Sequence, residues 1–260
     1  MSTSRWSITL QISRQKGQEP PHFDEFKMEV NPDEYVLDCV ERIWAHHDRT
    51  LVYRHACHHS TCGACGMRVN SVEKLTCITP VRDVVQDGGV MRVEPMRNFP
   101  VVSDLAVDMT SLYSRMEMVG QRTILPVEEE GMPRGSGTGP DGTAGEYLRL
   151  SDCIECGLCI SACPISTTSP DYLGPAILAG AQQTGLKKNP LLLELVDSED
   201  GVWRCHGVYE CTAVCPSFVE PGWRIMDLRR QVVAERIGRL FHPAAERQAA
   251  PAGQAGNTKS

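Results

Sequence analysis

The 260-residue sequence lacks an excess of positive charge, because 26 Lys and Arg residues stand against 33 Asp and Glu and give a net charge of −7. A nucleic-acid-binding protein presents a basic face, so we expect no nucleic-acid partner. No apolar run approaches the roughly 18–20 residues that a membrane-spanning helix needs. The N-terminal segment alternates polar and apolar residues and lacks the layout of a signal peptide. We therefore expect the protein to stay on the side of the membrane where it is made, or to be carried across by a partner.

Cysteine is abundant, with twelve residues. Disulfides would need an oxidising compartment, and no export signal supports one. Eleven of the cysteines fall into three groups, and Cys39 stands apart. Thiols two or three residues apart suit one metal centre better than paired disulfides, so we interpret the groups as ligand sites.

Residues 1–104 are predicted to form a compact α+β domain. Period-two alternation predicts strands at 5–12 and 23–30 and in the later segments "GMRVN" and "VMRVEPM". A helix is predicted over 34–47, where five apolar residues recur at helical spacing: Val36, Leu37, Val40, Ile43 and Trp44. Cys39 lies within this helix, and we interpret it as a buried small hydrophobe rather than a ligand.

Residues 105–242 are predicted to form a second, mainly helical domain. An amphipathic helix is predicted over 104–119, and residues 128–146, rich in Gly, Pro and charge, are predicted to be an exposed loop. Further helices are predicted at 174–184, 189–197 and 222–241. The polar, Ala- and Gly-rich residues 243–260 are predicted to be a flexible tail.

The first cysteine group has the spacing C-x4-C-x2-C-x11-C and predicts a plant-type [2Fe–2S] site. Its ligands are Cys57, Cys62, Cys65 and Cys77. Gly63 and Gly66 are expected to let backbone amides approach the sulfurs. A structural Zn(Cys)4 site is the alternative, although such sites more often have two C-x2-C knuckles. Rieske-type ligation by nearby histidines is disfavoured because all four cysteines are present, so we interpret them as loop residues: His55, His58 and His59.

The second group has the spacing C-x2-C-x2-C-x3-C-P, which is highly specific for a [4Fe–4S] cluster. It contains Cys153, Cys156, Cys159 and Cys163, followed by Pro164. In two-cluster ferredoxins the fourth cysteine of such a run ligates the other cluster. Cys163 is therefore predicted to serve the third group, and Cys215, also followed by proline, to complete the [4Fe–4S] site.

The third group, "CHGVYECTAVCP", has Val208 where the second group has Cys156. Three thiolates remain for this site: Cys205, Cys211 and Cys163. An iron facing Val208 would have no protein ligand, so we predict a [3Fe–4S] cluster. A zinc site or a decayed ferredoxin half is the alternative. Three clusters with no nucleophile–base pair indicate a path for electrons rather than a catalytic site.

These motifs, together with "VLDCVERI", "PMRNFPVVSDLAVDMT" and "GPAILA", resemble the iron–sulfur subunit of succinate dehydrogenase/fumarate reductase, respiratory complex II, over about residues 5–240. The resemblance implies an N-terminal β-grasp ferredoxin fold and a C-terminal helical bacterial-ferredoxin-like fold. It also implies partners: a flavoprotein with covalent FAD and the dicarboxylate site, and a membrane anchor that binds quinone. Electrons would pass from FAD through [2Fe–2S], [4Fe–4S] and [3Fe–4S] to quinone, or in reverse. The expected location is peripheral, on the cytoplasmic face of a prokaryotic inner membrane or the matrix side of a mitochondrial one.

The sequence departs from this family at two places. The family segment that resembles Arg-Glu-Gly-hydrophobic is here 58–61, "HHST". Ubiquinone-reducing members carry a tryptophan where this chain has Thr168, which favours a menaquinone-type complex with its quinone site mainly in a haem b-containing anchor. His206 matches a histidine that lies near quinone and haem in some relatives.

We interpret the chain as the electron-transfer subunit of a membrane-bound succinate:quinone oxidoreductase. Three alternatives to this interpretation remain. One is a fumarate reductase working in the reverse direction. Another is a free-standing polyferredoxin, which an exposed charged surface all round would favour. Apolar and aromatic residues near the third group favour a subunit that docks on a partner, and the alternative is that they belong to the hydrophobic core: Tyr209, Phe218, Trp223 and Ile225. The last is a structural zinc protein, which would be colourless.

Overall fold

A computed structural model describes residues 5–119, 153–186 and 190–241 of the chain. An α+β N-terminal part is followed by a helical C-terminal part, as the sequence predicts. The loop predicted at 128–146 and the tail predicted at 243–260 lie outside the described residues.

The N-terminal part is built on a mixed five-stranded sheet with the strand order β2-β1-β5-β3-β4. Its strands are β1 (Trp6–Arg14), β2 (His22–Val30), β3 (Gly66–Val69), β4 (Val72–Leu75) and β5 (Val90–Glu94). Strand β1 pairs antiparallel with β2 and parallel with β5, while β3 pairs antiparallel with β4 and β5. This sheet, packed against one helix, is the expected β-grasp arrangement. Two short 3₁₀ turns, Thr76–Ile78 and Val81–Asp83, follow β4.

Helix α1 (Val36–His46) packs its apolar face against the sheet. Val36, Leu37, Val40 and Ile43 are fully buried, and so is Cys39, whose Sγ lies 3.3 Å from Glu34 Oε1. Trp44, which is also in the predicted helix, lies at the edge of this face: it is 38% exposed, with the Arg49 guanidinium 4.2 Å from its ring centroid.

The helix predicted over 104–119 is shorter than expected. The chain first forms β6 (Val101–Ser103) and β7 (Ala106–Val107), which pair as a hairpin. Helix α2 then runs over Thr110–Met118, and the Asp108 carboxylate accepts hydrogen bonds from the Thr110 amide and hydroxyl at its start. The hairpin pairing removes residues 104–109 from the helix although their apolar spacing fits one.

The C-terminal part contains six further helices among the residues described. They are α3 (Leu158–Ala162), α4 (Pro164–Thr168), α5 (Pro175–Thr184), α6 (Pro190–Val196), α7 (Glu210–Ala213) and α8 (Pro221–Phe241), with a 3₁₀ turn at Val202–Arg204. Buried Ile177 and Leu178 of α5 and Ile225 and Leu228 of α8 lie in one hydrophobic core. Within the ranges that the structure covers, no helix is long and apolar enough to cross a membrane.

The two parts meet across a hydrophobic contact to which Leu75, Met96 and Phe99 contribute from the N-terminal side. We propose that the domain boundary lies at 104–105. Asp104 belongs to the first part, because its carboxylate accepts hydrogen bonds from Arg14 Nε and the Val52 amide. Leu105 still packs in the first core and Val107 in the second, so the chain passes from one core to the other just after this boundary.

Candidate iron–sulfur centres

The first cysteine group lies on the loop between α1 and β3 and on the turn after β4. Two backbone amides donate hydrogen bonds to Cys57: those of His59 and Thr61 lie 3.5 and 3.4 Å from its Sγ. Hydrogen bonds from the Thr61 side chain and the His59 amide lower the pKa of Cys57 to about 5. The Ala64 amide donates to Cys62 Sγ at 3.5 Å. The loop is therefore folded to stabilise negative charge on sulfur.

The other two thiols of this group are buried. Cys65 and Cys77 are 3% and 2% exposed. The Thr76 hydroxyl donates to the Cys65 carbonyl at 2.9 Å and holds the two segments together. Burial, with Cys65 and Cys57 close by, raises the pKa of Cys77 to about 12. A buried thiol of this kind ionises when a cationic metal centre is present, so the group suits metal binding.

Gly63 lies next to an amide that approaches a sulfur, and it also has a role that the sequence did not predict. Amides that donate to the sulfurs of this group belong to His59, Thr61 and Ala64. Gly63 has φ +68°, and a Cβ on it would lie 2.8 Å from Cys156 Cβ and 2.9 Å from the Ile154 carbonyl oxygen. The missing side chain at Gly63 thus lets the first cysteine loop touch the second.

The second site is a small pocket lined by four cysteines: Cys153, Cys156, Cys159 and Cys215. Cys215 arrives from the third sequence group, as the two-cluster pattern predicts. Burial raises the pKa of Cys153 to about 11 and that of Cys156 to about 12. The Val219 amide donates to Cys215 Sγ at 3.3 Å. Four converging thiols in an apolar wall match the donor set of a [4Fe–4S] cluster.

The third site is a separate pocket that brings together Cys163, Cys205 and Cys211. Burial, followed by the charges of Cys163 and Cys205, raises the pKa of Cys211 to about 12. The Gly207 amide donates to Cys205 Sγ at 3.4 Å. Val208 also lines the pocket and is 52% exposed, so an apolar side chain stands where a fourth thiol would be.

Of the two residues predicted to lie near quinone, His206 lines the third pocket and Thr168 does not. His206 is exposed and lines the third pocket. Thr168 is exposed at the end of α4, with its hydroxyl donating to the Ile165 carbonyl at 3.2 Å. Thr168 is not among the residues that line the third pocket.

Sequence reasoning missed Tyr172, which is 2% exposed in the wall of the third pocket. Burial, then the charges of Cys205 and Cys163, raises its pKa well above the usual value, and its hydroxyl also hydrogen-bonds Cys205. Tyr172 thus supplies a donor to a thiol site from outside the cysteine runs. No local pattern around "SPDYLG" signals this contact.

Sequence reasoning also missed the polar contacts that hold the two parts together. Asn98 Nδ2 donates to the carbonyls of Ile160 and Cys163 at 2.7 and 3.1 Å. The Ser161 hydroxyl donates to Glu73 Oε1 at 2.9 Å, and both residues are buried. These bonds fix the segment between Cys159 and Cys163 against the N-terminal sheet.

Comparisons with known proteins agree with this division. A family described as a 2Fe-2S iron-sulfur cluster binding domain matches residues 9–114, and one described as a 4Fe-4S dicluster domain matches residues 149–219. [2Fe–2S] and [4Fe–4S] binding domains are therefore present in this chain.

Two curated relatives and one solved structure align over most of the chain. The fumarate reductase iron–sulfur subunit of Mycobacterium tuberculosis is 32% identical over 245 residues, which cover 91% of this chain and 97% of the relative. The fumarate reductase iron–sulfur subunit of Haemophilus influenzae is 32% identical over 216 residues, covering 77% and 82%. A chain from the Mycobacterium smegmatis Sdh1 complex in the apo form has a TM-score of 0.74 at 22% identity, covering 90% of this chain and 98% of that one. At this identity, the similarity to the Mycobacterium smegmatis chain shows a shared fold.

The identity to full-length relatives and the three thiol sites lead to one conclusion. This chain belongs to the family of iron–sulfur subunits of fumarate reductases and succinate dehydrogenases.

Proposed function

We propose that this chain is the electron-transfer subunit of a membrane-bound succinate:quinone oxidoreductase. The observation that carries the proposal is the exchange of thiols between the last two cysteine runs. Cys215 lies with the residues of the second run, while Cys163 lies with those of the third. Each pocket thus contains ligands from both runs, and only the third pocket has Val208 in place of a thiol.

The ligand sets follow from this arrangement. The [2Fe–2S] site uses Cys57, Cys62, Cys65 and Cys77; the [4Fe–4S] site uses Cys153, Cys156, Cys159 and Cys215; the [3Fe–4S] site uses Cys163, Cys205 and Cys211. Iron–sulfur clusters, when bound, supply one-electron redox chemistry. The chain contributes the thiolates, the amide donors and the apolar walls that tune such groups.

Neighbouring sites lie against one another in the fold, which supports electron transfer along the chain. Gly63 joins the first site to Cys156 of the second. The second and third sites meet at α3, because Cys159 in this helix lines the second pocket and Cys163, directly after the helix, lines the third. This order supports a path between a flavin in a partner subunit, at the first site, and a quinone in a membrane anchor, at the third.

The third site also carries the surface that we assign to the anchor. Val208 lines the third pocket, and Trp223 follows Gly222, which also lines it. The two side chains are 52% and 56% exposed, and we call them the third-site apolar surface. Trp223 packs on Tyr209 with ring centroids 4.8 Å apart. Ile225, by contrast, is fully buried and belongs to the core. Exposed apolar side chains beside a redox site favour a docked subunit over a freely diffusing ferredoxin.

The anchor is proposed to bind menaquinone and haem b, with this chain on the cytoplasmic face of a prokaryotic membrane. Thr168 stands in place of a quinone-contacting tryptophan and lies exposed outside the third pocket. His206 is the residue of the third pocket that we place nearest the quinone. The second candidate is a fumarate reductase working in the reverse direction, because the two relatives above carry that name.

Co-purification tests the proposal. The full chain, tagged and expressed in its native host, is isolated from detergent-solubilised membranes. A flavoprotein with covalent FAD and a haem-containing membrane protein should co-purify, with succinate-dependent reduction of a menaquinone analogue. Recovery of the cluster-loaded chain alone from the soluble fraction would overturn the proposal.

A pair of variants tests the docking surface. Trp223→Asp should release the anchor and retain the flavoprotein, since a charge in an apolar contact is costly. Val90→Asp, at an exposed apolar position (53%) in the N-terminal sheet, is the matched control and should retain the anchor. Equal anchor retention in both preparations would contradict the assigned surface.

A further inference from the structure

Three side chains outside the thiol sites converge between α1 and the first cysteine loop. Glu41 lies on α1, and His55 and His58 lie on the loop. Glu41 Oε1 is 3.2 Å from His55 Nδ1 and 3.2 Å from His58 Nε2. The two ring nitrogens are 3.3 Å apart. We call these residues the Glu41–His55–His58 cluster.

Glu41 Oε1, His55 Nδ1 and His58 Nε2 form a triangle with the dimensions of one face of a metal coordination shell. Zinc binds histidine nitrogen and carboxylate oxygen at about 2.0–2.1 Å, so a tetrahedral site has ligand–ligand edges of about 3.3–3.4 Å. The three observed separations of 3.2, 3.2 and 3.3 Å are close to these edges. Two imidazoles and one carboxylate are also a ligand set that zinc uses when it keeps a fourth position open.

Glu41 Oε1 gives an independent indication of a missing ligand. This oxygen is buried and has no hydrogen-bond partner among the described residues, although both ring nitrogens are near it. Ring N–H groups that aimed at the oxygen would satisfy it. A buried carboxylate oxygen without such a bond carries a desolvation cost, which a bound cation would offset.

The cluster is also held in place and open to solvent. Tyr53 stacks on His55, with ring centroids 5.0 Å apart and planes inclined by 22°. The His55 and His58 rings stand at 89° to each other, so their nitrogens approach the shared centre from different directions. Both histidine side chains are 42% exposed, which leaves room for a water ligand.

We propose that Glu41, His55 and His58 bind one Zn²⁺, with a fourth position open to water. The site uses nitrogen and oxygen donors and is distinct from the thiols that we assign to iron. Because His58 adjoins Cys57, bound zinc ties the first cysteine loop to α1. No redox step is involved, since Zn²⁺ has a fixed charge and only exchanges water and protons for protein ligands.

Zinc titration of the intact protein tests the site. The full-length chain is purified anaerobically with its iron and sulfide, without a histidine tag, and titrated with Zn²⁺ alone. Calorimetry and metal analysis after gel filtration should show one zinc per chain with unchanged iron content. His55→Ala, His58→Ala and Glu41→Gln should each weaken zinc binding at least about tenfold.

His59→Ala is the matched control, because it removes a neighbouring imidazole outside the triangle and keeps the backbone amide. Its zinc affinity should equal that of the parent chain. Visible circular dichroism of the iron–sulfur bands checks that each variant is folded, and the conservative Glu41→Gln keeps the test usable should a histidine variant misfold. The proposal is overturned by the absence of zinc binding, by equal binding in His58→Ala and His59→Ala, or by zinc uptake matched by iron loss.

Discussion

The contact between the first two cysteine loops should make Gly63→Ala unusually costly. The substitution has two costs, one for the backbone and one for contact. At φ +68° an L-residue costs about 1–2 kcal/mol. The new Cβ would also lie 2.8 Å from Cys156 Cβ and 2.9 Å from Cys156 Cα, whereas carbon atoms pack at about 3.5–4.0 Å. The loops must therefore part by about 0.7 Å or strain, which adds about 1–3 kcal/mol.

Gly17→Ala isolates the backbone part of this cost. Gly17 has φ +58°, and a Cβ on it would meet nothing within 4 Å. We expect a loss of about 2–5 kcal/mol in the free energy of unfolding for Gly63→Ala and about 1–2 kcal/mol for Gly17→Ala. Urea denaturation of the cluster-loaded chain, followed by visible circular dichroism, measures both losses. Equal losses in the two variants would refute the loop contact.

Three further predictions concern the thiol sites and the first core. Val208→Cys should add a fourth iron to the third site and raise the total from about nine to about ten per chain, so an unchanged iron analysis and [3Fe–4S] signal would count against Val208. Cys163→Ser should remove the [3Fe–4S] signal and spare the [4Fe–4S] signal, while Cys215→Ser should affect the [4Fe–4S] signal first; the opposite outcome in electron paramagnetic resonance would reverse our ligand assignment. Arg14→Met should lower the free energy of unfolding by about 2–4 kcal/mol, because nearly buried Asp104 loses its ion pair. Hydrogen bonding with Arg14 lowers the pKa of Asp48 to about 2, so the parent's stability should fall between about pH 4 and pH 2, and the variant should show a weaker dependence in acid denaturation.

The periodicity of the apolar residues and the family resemblance predicted the fold class, and the cysteine spacing predicted which thiols come together. Local thiol patterns report ligation directly, and the exchange of Cys163 and Cys215 follows from the two-cluster pattern. Contacts outside the cysteine runs were not readable in the same way. A local hairpin that pairs Val101 with Val107 shortened the predicted helix over 104–119, because this pairing overrides the helical apolar spacing of residues 104–109.

Side chains that act across the fold were also invisible in the sequence. Tyr172 reaches the third pocket from a segment without a motif, and Asn98 binds carbonyls more than sixty residues away. His58 looked like an ordinary loop residue. Its meeting with Glu41 depends on where the sheet places α1 relative to the loop, which no local pattern encodes.

Electron paramagnetic resonance of the anaerobically purified full-length chain tests the central claim most directly. The protein should give a [3Fe–4S] signal when oxidised and a [2Fe–2S] signal when reduced, with about nine irons per chain. Two [4Fe–4S] clusters, or zinc in place of iron at the cysteine sites, would contradict the account.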